Sequence, residues 1–529
     1  METRAKTPST DRTTGGCGGV QLWELDLEEY EMERLRWIAA VVVFAGGIFG
    51  WSQPGAAQTK APPDAKTQER LRELEETVQL LKQKLDEKEA VTAPSPKVDE
   101  LDQKIRIIER EREIEKEDKE KKAKEAPLVT WKDGFNLKTP DDKFTLKLNG
   151  ELLFDIGFID QDDTLKYSVG DEQDGTAIRD ARLRLSGAVY KNIEYQLEVQ
   201  FAGENGQDTP SFLDTYVQLK GLPSLGGEKG QLRIGHFREP FSLEELTRTP
   251  SLTFLEKSLS NVFVPSRNLG VQWSEALLGE PNQERLTYAV GVFKTTDNWP
   301  SSNDSDEDRG YNITGRVTGL PWYEYNGEHL WHVGAAYSHA NPDGAVLGFD
   351  ARPETRLSLF KYAAADSIAS LFRLRDARAD DLDLYNLESA LVLGPLSLQG
   401  EYTLADVKTT FDGDHSFDGY YLQASYFLTG EHRPYRNSTG TFDRVRPAKN
   451  FGLGAEDGWG AFEVAARYSN VNLTDGAIRG GQHDATTAGV NWYLNPNTRL
   501  SLDYIYNTVD NDLYDGDFDV LQLRVFLDF

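Results

Sequence analysis

The chain has almost no cysteine. Cys17 is the single cysteine among 529 residues, so an internal disulfide, a thiolate metal site and a thiol redox pair are all excluded. The seven histidines do not cluster at metal-ligand spacing, and His332 and His339 fall on opposite faces of a predicted strand. We therefore expect neither a bound metal nor a cofactor.

Long apolar runs and positive charge are also scarce. Mean hydropathy is -0.55 and the formal net charge is -29, which argues against a nucleic-acid partner because phosphate binding needs a basic surface. Aromatic residues nevertheless reach 11%, and there are 46 glycines. This combination favours a sheet protein whose strands are apolar on one face only.

The amino-terminal residues 1–57 have the pattern of an exported protein. Arg34 and Arg36 are followed by an apolar run at 37–51 and then by small residues up to Ala57. A basic part, an apolar part and a small-residue cleavage site together make up a secretory signal. We expect cleavage near Ala57 and interpret residues 1–31 as an upstream extension, with Met32 as the natural start. The alternative is an uncleaved membrane anchor.

Residues 58–126 predict a short α-helical coiled coil. Apolar residues recur at spacings of three and four, which is a heptad seam. The sequence APSP at 93–96 interrupts the seam, because proline disrupts a helix interior. The alternative is a solvated single helix or a linker. The seam positions are Leu71, Leu74, Val78, Leu81 and Leu85, and then Val98, Leu101, Ile105 and Ile108.

From residue 127 the apolar period changes to two. Tyr195, Leu197, Val199 and Phe201 alternate with polar residues, as in the strands of a sandwich or of a transmembrane barrel. About sixteen strands can be placed between residues 144 and 529, and an even number suits a barrel. We predict an all-β transmembrane barrel of about 16 antiparallel strands over residues 127–529.

The lengths of the connectors support the barrel. Short turns fall on one side, which we expect to be periplasmic, and long acidic connectors fall on the other. One long segment, 431–458, falls on the short-turn side against this rule. The short turns are at 191–192, 394–395 and 496–497, and the long connectors are 159–177, 295–310, 340–381 and 407–417.

The closing stretch LQLRVFLDF predicts how the barrel closes. Its apolar residues alternate with polar ones up to Phe529, as expected for a lipid-facing strand that pairs with the first strand. Outer-membrane barrels commonly end in an aromatic residue read by the insertion machinery. We interpret Phe529 as that assembly signal.

Several of these stretches resemble the phosphate-selective porins of the O and P type. They include RDARLRLSGAVYKNIEYQLEVQFAG, LRIGHFREPFSLEELT, YYLQASYFLTGEHRPY and GWGAFEVAARYSNVNLTDG, and together they span most of residues 140–529. The resemblance implies a sixteen-stranded homotrimeric porin in an outer membrane, open to small solutes, with anions such as phosphate or polyphosphate among the expected solutes. The coiled coil is an addition, a periplasmic stalk that could reach peptidoglycan.

The resemblance also implies where the pore narrows. In this family the third external loop folds into the lumen, and here that loop is the stretch 238–268. The residues matching the family's pore constriction are Lys257, Ser258, Ser260 and Arg267 on the loop, facing Arg182 and Arg184 on the second strand. Other lumen-facing basic residues are Arg233, Arg316 and Arg467.

Two alternatives to anion binding stay open. The arginines could simply pair with carboxylates such as Asp180, Asp214 and Glu256, and the barrel region is acidic overall, which would repel approaching phosphate. A rival function is a tether between outer membrane and cell wall, with the barrel as an anchor. We do not expect an enzyme, because no nucleophile elbow or phosphate-binding loop is present where a strand meets a helix.

Overall fold

A computed structural model describes residues 76–80, 82–84, 96–125, 127–131, 133–202, 210–294, 310–342, 345–347, 349, 351–357, 377–409, 413–454, 457–476, 478–511 and 514–529. The predicted signal peptide, the upstream extension and most of the first heptad seam lie outside these residues. The chain divides into two units, 1–115 and 116–529. In the described part of the chain no helix is long and apolar enough to cross a bilayer.

The second heptad seam lies on a 30-residue helix, α1 (Pro96–Glu125). Pro96 is its first residue, where the missing N–H costs nothing. The apolar side chains Leu101, Ile105 and Ile108 are exposed on this helix. Whether they pair in a coiled coil stays a prediction.

The rest of the described chain is one large antiparallel sheet and a separate two-stranded hairpin, with short helices in the connectors. Of the 19 strands in the sheet, β1, β2 and β12 are short additions at the rims, and the remaining 16 form the barrel wall. The strands are β1 (Leu128–Trp131), β2 (Phe135–Lys138), β3 (Phe144–Gln161), β4 (Gly175–Val189), β5 (Ile193–Gln200), β6 (Ser211–Ser224), β7 (Gly227–Arg238), β8 (Arg267–Leu277), β9 (Leu286–Lys294), β10 (Tyr311–Glu324), β11 (His329–Ala340), β12 (Ala345–Leu347), β13 (Ala377–Leu393), β14 (Leu396–Thr409), β15 (Gly413–Phe427), β16 (Tyr435–Arg436), β17 (Thr441–Phe442), β18 (Ala461–Asp475), β19 (Ile478–Asn495), β20 (Thr498–Asn511) and β21 (Tyr514–Asp528). The short helices are α2 (Asp163–Val169), α3 (Leu243–Leu246) and three 3₁₀ turns, Thr249–Ser251, Leu259–Phe263 and Tyr325–Gly327.

The barrel closes between its first and last strands, as predicted. β21 pairs with β3 from Phe518↔Gln161 to Asp528↔Glu151, and Phe529 and Gly150 exchange two backbone hydrogen bonds of 3.0 and 2.9 Å. The pairing gives hydrogen-bond partners to backbone N–H and C=O groups that would otherwise be unsatisfied in the hydrocarbon core of the membrane. Strand β2 then continues along the same edge of β3, so the wall extends past Phe529.

The side chains alternate in the sense that a membrane barrel requires. On β5 and just beyond it, Glu198 is 1% exposed and faces the lumen, whereas Phe201 is 53% exposed on the outer surface. On β21, Gln522 and Arg524 are buried inside, and the alternating apolar residues Leu521, Leu523 and Val525 face out. The polar side of each strand is therefore the inner side, the reverse of a soluble sandwich.

Aromatic side chains ring the outer surface. Near the rim that carries the long connectors, here called the loop rim, Tyr337 and Tyr504 donate hydrogen bonds to Asp383 and Asp519 at 2.7 and 2.6 Å. Toward the opposite rim, here called the turn rim, Trp492 is half-buried and stacks on the Phe462 ring. Such girdles mark the two interfaces of a bilayer.

The connectors leave from the predicted sides, but the length rule fails at 407–417, because β14 runs to Thr409 and β15 begins at Gly413. The connectors at 476–477 and 512–513 on the same side are also short.

Among the described connectors, three turn into the lumen. From the loop rim come loop 3 (residues 239–266) and the inner part of loop 5 (residues 349–357). From the turn rim comes a segment here called the turn insert (residues 428–460), the one that broke the parity rule. Its small hairpin β16–β17 lies against the inner wall, where His332 Nδ1 is 2.6 Å from the Tyr435 hydroxyl. The hairpin part of the segment therefore lies inside the barrel, whereas its later part is exposed at Leu453 and Trp459.

Candidate functional site

Loop 3 begins with a turn that anchors it to the far wall. Ser242 adopts a left-handed φ of 65°, and its hydroxyl accepts the Glu245 backbone N–H at 3.1 Å. The free N–H groups of Leu243 and Glu244 donate to the Glu401 carboxylate on β14 at 3.1 and 2.7 Å. A carboxylate that accepts the first amides of a helix holds α3 across the lumen.

The middle of loop 3 is tied down through its own backbone. Arg499 and Asn491 donate to the carbonyl oxygens of residues 252 and 253, both at 2.7 Å. The Leu255 N–H donates to the Asp503 carboxylate at 2.9 Å. Because these wall residues lie on β19 and β20, the middle of loop 3 is held against the wall opposite β4 to β8 and does not extend into solvent.

Loop 5 and loop 3 meet in an apolar cluster inside the barrel. Phe263 on loop 3 packs edge-on against Phe349 on loop 5 at 5.0 Å, and Phe349 in turn contacts Phe417 on β15 at 6.3 Å. Burying these rings stabilises both loops in the lumen. The remaining opening lies between loop 3 and the wall formed by β4, β7 and β8.

A cavity of about 340 Å³ lies on the loop-rim side of this opening. Loop 3, loop 5 and strands β4, β7 and β8 all contribute to it. Seven basic side chains line it against three acidic ones, a net charge of +4. The basic residues are Arg179, Arg182, Arg238, Lys257, Arg267, Arg352 and Arg356, and the acidic residues are Glu245, Glu256 and Glu354.

A second cavity of about 200 Å³ lies on the turn-rim side and shares Arg238 with the first. The turn insert forms one of its walls. Five basic and three acidic side chains line this cavity, which gives it a net charge of +2. The basic residues are Arg233, Arg238, Arg248, Arg316 and Arg436, and the acidic residues are Asp214, Glu275 and Asp443.

The predicted arginines lie at this opening with carboxylate partners. Arg182 pairs with Asp180 at 2.6 Å, and Arg267 Nε donates to Asp214 at 2.6 Å. Arg184 makes two parallel hydrogen bonds to Glu198, at 3.0 and 2.7 Å. The pairing considered as the alternative to anion binding is therefore present, so each of these residues adds less net positive charge than its identity suggests.

The predicted loop residues are also hydrogen-bonded within the loop. Lys257 pairs with Glu245, and the Ser258 hydroxyl donates to Glu244 at 2.7 Å. Ser260 Oγ lies 3.1 Å from Ser258 Oγ. Lys257, Ser258, Arg182 and Arg267 line the loop-rim cavity, whereas Ser260 and Arg184 do not.

The charge state of the Lys257–Glu245 pair follows from its surroundings. Burial lowers the pKa of Lys257 to about 8, although Glu245 acts to raise it. Burial acts to raise the pKa of Glu245, but Lys257 and Arg238 lower it to about 2. At neutral pH both groups are charged, and above pH 8 only the carboxylate remains so.

Arg248, which the sequence pattern did not single out, is a cation that makes no ion pair with the described residues. Within the described residues no carboxylate lies within 4.0 Å of it, and it lines the turn-rim cavity. Burial and the nearby cation Arg184 lower the pKa of Arg248 to about 10, and Arg444 adds to the effect. Its place in the predicted constriction stretch 238–268 was the signal that could have found it.

The other predicted lumenal arginines divide into two roles. Arg316 pairs with Glu388 at 2.6 Å and donates to the Gly440 carbonyl at 2.9 Å, which fastens the turn insert to the wall. Arg467 pairs with Glu354 at 2.5 Å and also donates to the backbone of loop 3, so it fastens both loops. Arg233 has no such role and lines the turn-rim cavity over the Tyr216 ring.

A closed sixteen-stranded barrel with an apolar outer face, a polar inner face and inward-folded loops is a porin, a channel across an outer membrane. The chain belongs to the phosphate-selective porin O and P family, which matches residues 146–529. Family and fold point to a channel rather than an enzyme.

Several known proteins are similar to this chain. Porin O of Pseudomonas aeruginosa is 26% identical over 424 residues, covering 75% of this chain and 92% of that protein. An anion-selective porin from Comamonas acidovorans matches 73% of this chain and 100% of its own at 14% identity, with a TM-score of 0.45. The outer-membrane channel DcaP of Acinetobacter baumannii matches 75% of this chain and 99% of its own at 12% identity, also with a TM-score of 0.45.

Proposed function

We propose that this porin prefers anions, phosphate among them, and that the basic wall facing loop 3 sets the preference. The proposal rests on the difference between the net charge of the whole chain and the net charge of the cavities beside the constriction. The whole chain has a net charge of -29, yet both cavities beside the constriction are net basic. An ion in a narrow lumen responds to the nearest charges more than to distant, screened ones.

The chemistry of the wall suits a weakly bound anion. A guanidinium presents a planar fork of donors to phosphate oxygens, and one already paired with a carboxylate keeps further N–H groups for a passing ion. Arg248, with no carboxylate beside it, offers a full positive charge. Paired arginines on either side of it would keep binding weak and repeated, so an anion can leave as well as enter.

We also propose how the channel is assembled and oriented. Short turns of outer-membrane barrels face the periplasm, which would place the turn rim and the stalk before β1 on that side. Phe529 would serve the insertion machinery as its recognition residue, and the barrel would be a homotrimer in outer-membrane lipid. A periplasmic stalk from residue 58 to 126 could approach peptidoglycan, and the chain would be exported and then cleaved near Ala57.

The selectivity proposal is tested by reversal potentials in planar bilayers under a salt gradient. Arg248→Gln removes an unpaired cation from the turn-rim cavity, so the anion-to-cation permeability ratio should fall. Arg446→Gln is the matched control, because Arg446 is 56% exposed, pairs with Asp133 and lines neither cavity. It should leave the ratio unchanged.

Two results would contradict the proposal. The first is a wild-type channel that prefers cations. The second is a permeability ratio for Arg248→Gln equal to that of the control variant. Repeating the measurement with phosphate in place of chloride tests the phosphate assignment separately, since phosphate should reduce the chloride current if it occupies the same wall.

A further inference from the structure

Helix α1 carries a short apolar seam that the described part of the chain leaves uncovered. In heptad notation Val98 and Ile105 are a positions, and Leu101 and Ile108 are d positions. Ile105 is 44% exposed and Leu101 is 59% exposed. A seam of this period is normally covered by another helix.

The charges that flank the seam indicate which helix covers it. In a parallel, in-register coiled coil, each g position faces the e position five residues later on the partner. Three of the four such pairs on α1, those nearest the seam, combine opposite charges, and the fourth is Asp118 with Ala123. The three oppositely charged pairs are Lys97 with Asp102, Lys104 with Glu109, and Glu111 with Lys116.

The same charges disfavour an antiparallel partner. Antiparallel pairing brings g positions against g positions and e against e, so with the two seams aligned Lys104 would face Lys104 and Asp102 would face Asp102. The ion pairs inside the helix do not compete strongly. Lys104–Glu100 and Arg106–Asp102 are exposed pairs four residues apart, which contribute little and can exchange for pairs between helices.

We infer that α1 pairs in parallel and in register with the α1 helices of other copies of this chain. This inference rests on the proposed homotrimer, because a seam spanning only residues 98–108 is too short to associate alone. Barrels already assembled in one membrane hold their stalks at high effective concentration, which lets a weak seam form. The e and g charges then select the parallel register.

Thiol cross-linking of the full-length protein in its membrane tests the inference. In a Cys17→Ser background, Ile105→Cys places a thiol on the seam, where identical residues of two parallel helices meet. Ile107→Cys is the matched control, because Ile107 is also an exposed isoleucine, 57% exposed, but at a c position off the seam. Mild oxidation should give a covalent dimer for the first variant and none for the second.

A charge exchange tests the register. Adding Lys104→Glu to Ile105→Cys puts like charges at one g–e pair and should reduce the cross-linked band. Adding Glu109→Lys as well restores the opposite charges and should restore the band. Lysine and glutamate have similar helix propensities, so the rescue reports pairing between helices rather than helix content.

The outcomes separate this inference from the proposed function. Equal cross-linking of Ile105→Cys and Ile107→Cys, or none in either, would overturn the parallel seam, and so would failure of the charge rescue. Native mass spectrometry of the same preparations counts the copies in each assembly, and their reversal potentials report ion preference. A trimeric, anion-selective channel without the seam cross-link would refute only the inference about α1.

Discussion

Raising the pH through 8 should weaken the anion preference of this channel. Lys257 lines the loop-rim cavity, and burial lowers its pKa to about 8 while Glu245 acts to raise it. The lysine is therefore mostly charged at pH 6.5 and mostly neutral at pH 9.5. Glu245 stays ionised over that range, because Lys257 and Arg238 overcome the effect of burial and lower its pKa to about 2.

The expected size of the effect follows from the lining charges. Seven basic and three acidic side chains give the loop-rim cavity a net charge of +4, which falls to +3 when Lys257 loses its proton. One unit charge about 4 Å from an ion in water is worth about 1 kcal/mol. Since about 1.4 kcal/mol corresponds to a factor of ten, the anion permeability should fall by up to about fivefold.

The assay is the reversal potential across a salt gradient, measured at intervals between pH 6.5 and 9.5. The wild-type permeability ratio should change with a midpoint near pH 8. Lys257→Arg should keep the high ratio throughout, because arginine stays protonated, and Lys257→Met should keep the low ratio. A flat wild-type profile, or the same midpoint in Lys257→Met, would refute the assignment of the titration to Lys257.

Two further predictions concern the stability of the barrel. A Cβ atom at Gly150 would lie 2.5 Å from the Phe529 ring, so Gly150→Ala should force the ring away and destabilise the closing strand by about 1–3 kcal/mol in urea unfolding. Arg524 pairs with the 2%-exposed Asp155 at 2.6 Å, so Arg524→Ala should leave a buried carboxylate uncompensated and lower the free energy of unfolding by about 3–5 kcal/mol.

Each of these variants has a control in the same barrel. At Gly315 an added Cβ would meet its nearest atom at 3.7 Å, so Gly315→Ala should be tolerated. Arg446→Ala removes an exposed pair and should cost about 1 kcal/mol or less. If either control were as destabilising as its test variant, the contact at Gly150 or the buried pair of Arg524 would not be the cause.

The amino-acid sequence by itself determined the wall of this barrel. Alternation of apolar and polar residues is a local property with a period of two, so the strand count of 16, the start at Phe144 and the outward face of β21 could all be predicted. The parity of connector lengths is local as well. Even the failure of that parity at 431–458 was visible in the sequence, although its cause was not.

Only the tertiary structure decided what fills the lumen. Arg524 reaches the backbone of loop 3 across 269 residues of sequence, and Arg316 reaches the turn insert across 124. The alternation marks these arginines as inward-facing, but no local pattern says which carboxylate or carbonyl each will meet. The physical reason is that strand alternation depends on neighbours along the chain, whereas the charge of the pore depends on which strands closure brings face to face.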